Sequence, residues 1–450
     1  MLVKTCPEHG TTRTLVWRGP PDLEEWREGA GDVGVAGPHC PTLCGPCPDH
    51  RQSTCCLLLE VTARCDLGCP VCFAESGSAG EADPSLEEID GWFAHVAAEA
   101  PACNLQLSGG EPTLRGDLPE ILALGRRRGL SFFQLNTNGL RLAREPEYAA
   151  RLAEAGLATV FLQFDGVDES PYRALRGSDL LAVKLAAVEA CAAAGLGVVL
   201  VPTLVPGVNV DQIGAIVDFA VAHLPAVRGV HLQPISYFGR WSREPHGDAG
   251  PRITLPEVLR AVVEQTDGRL PLRGFRPAAC EHPVCSFHGE FYAAPDGRIV
   301  PLRDRPDITV TTGPDRAQAA EKARRTAARW ASASPASRCC CTAARSRAEE
   351  AGAGSGTTPA DAGASAQDRW DRALDDLRGR TFSVTAMAFQ DAWNVDLERL
   401  RMCCLHVLTR DLRRVPFCAY NLTAADGRHL GGRWSGRAAR TAFTMTRVRV

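Results

Sequence analysis

The sequence predicts an α/β protein: an incomplete (β/α)6 barrel, open at one side, with cysteine-rich extensions before and after it. Two observations predict this. Strand-like and helix-like segments alternate in successive pairs between residues 57 and 264, a pattern that folds as a parallel sheet with right-handed crossovers. The 19 cysteines of the 450-residue chain stand in clusters separated by long stretches without any, as ligands do when a fold gathers them. A closed eight-unit barrel would need more pairs than the chain shows.

The elements follow in order. Residues 1–54 carry Pro7, Pro20, Pro21, Pro38, Pro41, Pro46 and Pro48 between short apolar runs and read as loop. Leu57-Leu58-Leu59-Glu60-Val61 reads as a buried strand, and 85–100 as an amphipathic helix capped by Asp83 or Ser85. The remaining strands are expected at 105–107, 132–135, 160–164, 198–201 and 230–233. Helices are expected at 117–128, 145–155, 180–194, 211–223 and 256–264. Beyond Pro271 the alternation stops. Residues 280–301 read as a hairpin turning at Pro295-Asp296-Gly297, and Asp411-Leu412 marks an echo of it whose turn lacks the glycine. Residues 317–331 can be helical. Residues 333–366, rich in Ala, Arg, Ser and Gly, read as disordered or as a surface insert.

These shifts divide the chain into a metal-binding extension at 1–54, the partial barrel at 55–270, a first C-terminal metal region at 271–312, a low-complexity insert at 313–369 and a second C-terminal region at 370–450. Net charge is −3, with 45% hydrophobic and 23% charged residues. No basic excess points to nucleic acid. The longest apolar stretch, from Leu180 to Val201, is interrupted by Lys184 and Glu189, so no membrane span is expected. The first residues lack the apolar run of a signal peptide, and a cytoplasmic location is expected. In that compartment thiols stay reduced, so an odd number of clustered cysteines reads as metal ligation rather than disulfides.

Cys65-Asp-Leu-Gly-Cys69-Pro-Val-Cys72 directly follows the first barrel strand. Three thiolates at this spacing can wrap one iron–sulfur cube and leave its fourth iron open for a substrate or cosubstrate; structural zinc is the alternative. Gly109-Gly110-Glu111-Pro112 ends the next strand, where parallel barrels place their active sites. The glycines permit close backbone approach, and Glu111 offers an acceptor for an ammonium group. Asn136, Asn138, Gln163 and Asp165 also fall at strand C-terminal ends, as contacts to a cofactor or as plain turn residues. Cys40, Cys44 and Cys47 repeat the CxxxCxxC spacing in a proline-rich loop, with His50 or Cys55 in reach of a fourth position. They read as an auxiliary cluster or structural zinc. Cys280, Cys285, Cys418 and one of Cys403 and Cys404 offer another four-thiolate site, with His406 as a substitute. Cys339-Cys340-Cys341 lies in the low-complexity stretch and is set aside.

The CxxxCxxC loop followed by Gly-Gly-Glu-Pro on the next strand resembles the radical S-adenosylmethionine (SAM) enzymes, over roughly residues 56–264. The resemblance implies a [4Fe–4S] cluster on Cys65, Cys69 and Cys72, and SAM chelated to its open iron with the methionine end at Gly109, Gly110 and Glu111. It also implies a 5′-deoxyadenosyl radical that takes hydrogen from carbon, and a low-potential electron donor such as ferredoxin or flavodoxin. Further strings narrow it: Cys6-Pro-Glu-His-Gly10, Val61-Thr-Ala-Arg-Cys65, Gln163-Phe-Asp-Gly166, Leu175-Arg-Gly177, Gln233-Pro234 and Phe417-Cys-Ala-Tyr-Asn421. Together they resemble the tetraether lipid synthase-like branch, formerly read as pterin methyltransferases. That branch implies auxiliary iron–sulfur clusters, a lipid-like apolar substrate joined by C–C bond formation, and with it contact with a membrane surface, though no basic amphipathic helix marks one. It also implies a mononuclear rubredoxin-like iron, which needs a CxxC pair upstream of Cys6; the sequence shows no such pair, so either the natural chain extends further or that iron is absent. Methyl transfer or peptide modification is the alternative activity, and a non-catalytic zinc or iron–sulfur electron carrier the alternative of another class.

Overall fold

The computed structural model describes residues 1–6, 10–27, 50–77, 82–241, 250–277, 281–302, 316–332, 366–424, 427–430 and 446–449. Six parallel strands come in the expected order: β1 Cys56–Thr62, β2 Asn104–Gly109, β3 Phe133–Thr137, β4 Leu157–Gln163, β5 Gly197–Val201 and β6 Val227–Pro234. Each pairs with the next. The crossovers are built on α1 Leu86–Glu99, α2 Leu118–Arg127, α3 Pro146–Ala155, α4 Leu181–Ala193 and α5 Ile213–Ala222, and α6 Leu255–Gln265 follows β6. Local chemistry sets their ends. Ser85 and Glu88 form a reciprocal capping box on α1. Pro146 opens α3, and Gly156, in the left-handed conformation at φ 109°, closes it.

The strands alternate between two buried faces. Leu57, Leu59 and Val61 of β1 pack into the main core beneath the helices, while Cys56 and Leu58 face the barrel lumen. Burial on both sides explains why the strand reads as a near-continuous apolar run.

The C-terminal region lengthens both edges of this sheet. A seventh parallel strand, β7 Thr381–Met387, pairs with β6, and an eighth, β8 Leu405–Leu408, pairs with β1. Eight parallel strands therefore run in the order β8-β1-β2-β3-β4-β5-β6-β7. Their outer neighbours are antiparallel: Ser286–Ala293 on β7 and Arg414–Pro416 on β8. Among the described residues β7 and β8 do not pair with each other, so the barrel stays incomplete.

Two expectations change. Residues 1–54 are not all loop, because Leu2–Cys6 and Gly10–Thr14 form a hairpin, joined by Thr446–Arg449. The partner strand lies at the far end of the chain, beyond the reach of local pattern. Helix α7, Arg316–Trp330, is no loose part of an insert: it lies across the N-terminal ends of the strands. Asn104 Nδ2 donates to Ala323 O at 3.0 Å, Thr159 Oγ1 to Trp330 O at 3.0 Å, and Trp330 Nε1 to Ser383 Oγ at 3.1 Å. These anchors sit at the starts of β2, β4 and β7, so the helix is the floor of the lumen. Residues 333–365, with Cys339 to Cys341, lie outside the described residues. Among the described residues no helix is long and apolar enough to cross a membrane.

The two hairpins expected from the echoing sequences both form. Ile299–Pro301 pairs with Ser286–Ala293, and Arg414–Pro416 with β8. In the second turn Leu412 takes φ 63°, the conformation that Gly297 takes at φ 85° in the first. Glycine adopts it freely and leucine does not.

Candidate active site

The cysteine loop, Cys65 to Cys72, stands where β1 leaves the barrel, and its three thiols line the mouth of a cavity of about 290 Å3. The glycine pair explains how β2 positions it. A Cβ on Gly109 would lie 2.1 Å from the Thr62 carbonyl oxygen, and one on Gly110 would lie 2.0 Å from that of Arg64. The close approach that demands glycine is thus to the backbone just before Cys65. Gly110 N donates to Thr62 O at 2.8 Å and Glu111 N to Arg64 O at 2.7 Å.

Glu111 is buried and fully engaged. Its carboxylate accepts from Thr113 N at 3.0 Å, Thr113 Oγ1 at 2.6 Å, Thr137 Oγ1 at 2.7 Å and Asn138 N at 2.7 Å. Burial pushes its carboxyl up, against these four donors. The residue welds the ends of β2 and β3; an incoming ammonium would share an acceptor already in use. Asn138 reaches across to the cysteine loop, where its Nδ2 donates to Asp66 Oδ1 at 2.7 Å.

The other side of the loop is held by two arginines. Buried Arg176 grips the fully buried Asp165 in a two-pronged pair, Nε to Oδ2 at 2.7 Å and Nη2 to Oδ1 at 2.8 Å, and sends Nη1 to Val71 O at 3.0 Å. Gln163, with its amide oxygen turned to Arg176, accepts from Nε at 3.0 Å. Arg240 donates to Cys69 O at 2.7 Å and Ser76 O at 3.0 Å, while its backbone exchanges hydrogen bonds with Cys72. Asp165 therefore acts through Arg176 as an anchor of the loop. Arg176 was visible in sequence only as part of the string Leu175-Arg-Gly177; Arg240 gave no signal.

The thiols fit an iron–sulfur group. Burial pushes Cys65 up to about 12 and raises Cys69, where the Arg176 guanidinium opposes it. Such thiols ionise only when a cation takes the charge. Among the described residues no three His, Cys, Asp or Glu side chains converge tightly enough for a single metal ion.

Residues 59–220 match the model of the Radical SAM superfamily. Along 94% of this chain and 88% of the relative, the sequence is 32% identical to a 7,8-dihydro-6-hydroxymethylpterin dimethyltransferase of Methanocaldococcus jannaschii. The chain belongs to the radical SAM superfamily. A GTP 3′,8-cyclase of Pseudomonas aeruginosa is 31% identical over 46% of this chain and 61% of its own. Among solved structures, Streptococcus suis SuiB bound to S-adenosylmethionine aligns with 16% identity and a TM-score of 0.39, covering 48% of each chain. As a radical SAM enzyme the protein uses a [4Fe–4S] cluster and SAM, and it needs a reductant.

Five further cysteines sort into two groups that spacing did not separate. Cys285, Cys403 and Cys418 lie together: burial drives all three up, Cys418 to about 12, and charge from Cys418, Cys404 and Cys285 adds to the rise at Cys403, as charge from Cys285 does at Cys418. Buried Arg399 donates from Nε to Cys285 Sγ at 3.3 Å. Cys404 faces the other way: its Sγ is 3.0 Å from Cys55 Sγ, beside Lys322 and Glu281. His50 joins this second group, with Nε2 3.2 Å from His406 Nε2 and 2.8 Å from Cys403 O. The alternative between Cys403 and Cys404 is thereby divided: Cys403 sides with Cys285 and Cys418, Cys404 with Cys55. Cys40, Cys44, Cys47 and Cys280 lie outside the described residues.

Proposed function

We propose that this radical SAM enzyme is a methyltransferase that modifies carbon, with Cys65, Cys69 and Cys72 as the cluster ligands. The observation that carries this reading is the identity to a named dimethyltransferase along nearly the whole chain. The cluster and SAM supply a 5′-deoxyadenosyl radical, which opens C–H bonds that acid–base groups cannot. The chain's own residues supply position. Arg240 and Arg176 hold the loop backbone at Cys69 and Val71, the glycine pair locks β2 against the run into Cys65, and Gly109, Gly110, Asn136 and Gln163 border the space where SAM would lie. The lumen is closed below by α7, which excludes bulk water from the reacting carbon.

Cys285, Cys403 and Cys418, with Cys280 as the fourth ligand, are the set we assign to an auxiliary cluster. Arg399 beside them offsets thiolate charge. A ferredoxin or flavodoxin is the electron donor this chemistry calls for.

A second reading, joining of lipid alkyl carbons, draws support from the apolar mouth. The rings of Phe389 and Phe73 lie 4.6 and 5.6 Å from that of Phe417, and Phe238 6.2 Å from it. Anaerobic reaction of the reconstituted protein with SAM, dithionite and a cell extract, followed by mass spectrometry, tests both. Methyl transfer predicts a small product heavier than its precursor by one or two CH2 groups. Coupled lipid chains without such a product would replace it by the second reading, and no 5′-deoxyadenosine would refute both.

A further inference from the structure

The lumen below the SAM region holds polar groups that the chemistry above does not use. Gln134, the second residue of β3, is fully buried, and both its Oε1 and its Nε2 lack a hydrogen-bond partner among the described residues. It lines the cavity, and so does Gln106, its register partner on β2. Two residues further along β3, on the same face and toward the SAM region, Asn136 donates from Nδ2 to Ser108 Oγ at 3.2 Å, while its Oδ1 has no partner among the described residues.

Buried amides are almost always paired, because an orphaned donor or acceptor keeps its full desolvation penalty. The outward neighbours on these strands are Leu105, Leu107 and Leu135, all fully buried, and a leucine or methionine at 134 would fill the lumen face without that penalty. The amide stands where it weakens the free protein, as a group matched to a ligand does.

We propose, resting on the methyl-transfer reading, that Gln134, supported by Gln106, reads the lactam or amidine edge of a planar heterocyclic substrate. A side-chain amide presents one acceptor and a donor pair side by side. Its complement is a ring edge with N–H beside C=O, or N beside N–H, the geometry by which glutamine reads nucleobase edges. The surroundings suit a flat ring: Phe161 borders the same cavity, with Trp330 at 4.9 Å and His231 at 5.6 Å between ring centroids. His231 is oriented by Thr385 Oγ1 at 2.8 Å from its Nδ1. An alkyl chain end offers no partner to Gln134, so the two readings of the function demand different things of this residue.

The test is equilibrium binding of two fluorescent probes to the reconstituted full chain with SAM present. One is 6-hydroxymethyl-7,8-dihydropterin; the other is 2-naphthol, a fused two-ring compound without the lactam edge. The wild type is expected to bind the pterin at least about tenfold more tightly than 2-naphthol. Gln134→Met is expected to lose about tenfold or more for the pterin and to leave 2-naphthol unchanged, with a melting temperature equal to or above that of the wild type. Gln106→Leu should give a smaller loss in the same direction. Equal pterin affinity in Gln134→Met overturns the proposal, as does a wild type that prefers 2-naphthol. So does a lowered melting temperature with both affinities falling together, which would mark Gln134 as structural. Lack of a methylated product with the pterin discrimination intact would remove the methyl-transfer reading and leave this assignment standing.

Discussion

The thiols at the barrel mouth and those of the C-terminal group reach the same kind of arrangement by opposite routes. Cys65, Cys69 and Cys72 come from eight consecutive residues on one loop, which the rest of the chain only has to hold still. Cys285, Cys403 and Cys418 come from three segments: the start of the strand Ser286–Ala293, the turn before β8, and the short helix Phe417–Tyr420. The first group is specified by spacing and stabilised by pinning. The second exists only once β7 and β8 have docked on the two edges of the barrel. A local group should therefore tolerate damage to the C-terminal strands better than a gathered one.

The largest effect expected from this difference concerns iron. Cys69→Ala should remove about four irons per chain and all 5′-deoxyadenosine formation, whereas Cys418→Ala should remove a similar amount of iron and leave uncoupled SAM cleavage measurable. Iron and sulfide assays beside product chromatography check both.

Next in size is the anchor of the local group. Arg176→Met leaves Asp165 buried without its partner, which costs about 3–5 kcal/mol and frees the Val71 carbonyl from its donor. A fall of that order in the urea unfolding free energy is expected, with weaker cluster retention. The matching change Arg399→Met should spare the mouth cluster.

A smaller effect comes from the lumen. Burial holds His231 down near 4, against about 6.5 in the unfolded chain. The neutral form is favoured in the fold, so its contribution is present above pH 6.5 and is lost as pH falls toward 4. Between pH 7.5 and 5.5 the wild type should lose about 1–2 kcal/mol more than His231→Gln, read from urea midpoints at each pH. Smallest is the turn before Arg414–Pro416. Leu412→Gly relieves a left-handed leucine and should raise stability by about 0.5–1 kcal/mol.

What the sequence displayed follows the same division. Six strand–helix pairs, the cysteine loop and the glycine pair are local, and the element boundaries agree with the structure to within three residues, from 85–100 against Leu86–Glu99 to 230–233 against Val227–Pro234. The glycines were legible as a close approach, but not that its partner is the carbonyl of Arg64. The hairpin at the N-terminus, the two edge strands and the floor helix each depend on partners far along the chain, and periodicity carries no information about those. Arg176 and Arg240 look like any surface arginine until the fold buries one and threads the other under the cysteine loop. Gln134 stands between Phe133 and Leu135 as a polar residue of a half-exposed strand would, and only the lumen shows that its outlet is a cavity rather than solvent.

The central claim, that the Cys65 loop holds the SAM-binding cluster, is tested most directly by electron paramagnetic resonance of the dithionite-reduced protein with and without SAM. The account predicts that SAM shifts the cluster signal in the wild type and in Cys418→Ala, and that Cys69→Ala lacks the shifted component. A SAM-induced shift that survives in Cys69→Ala would contradict it.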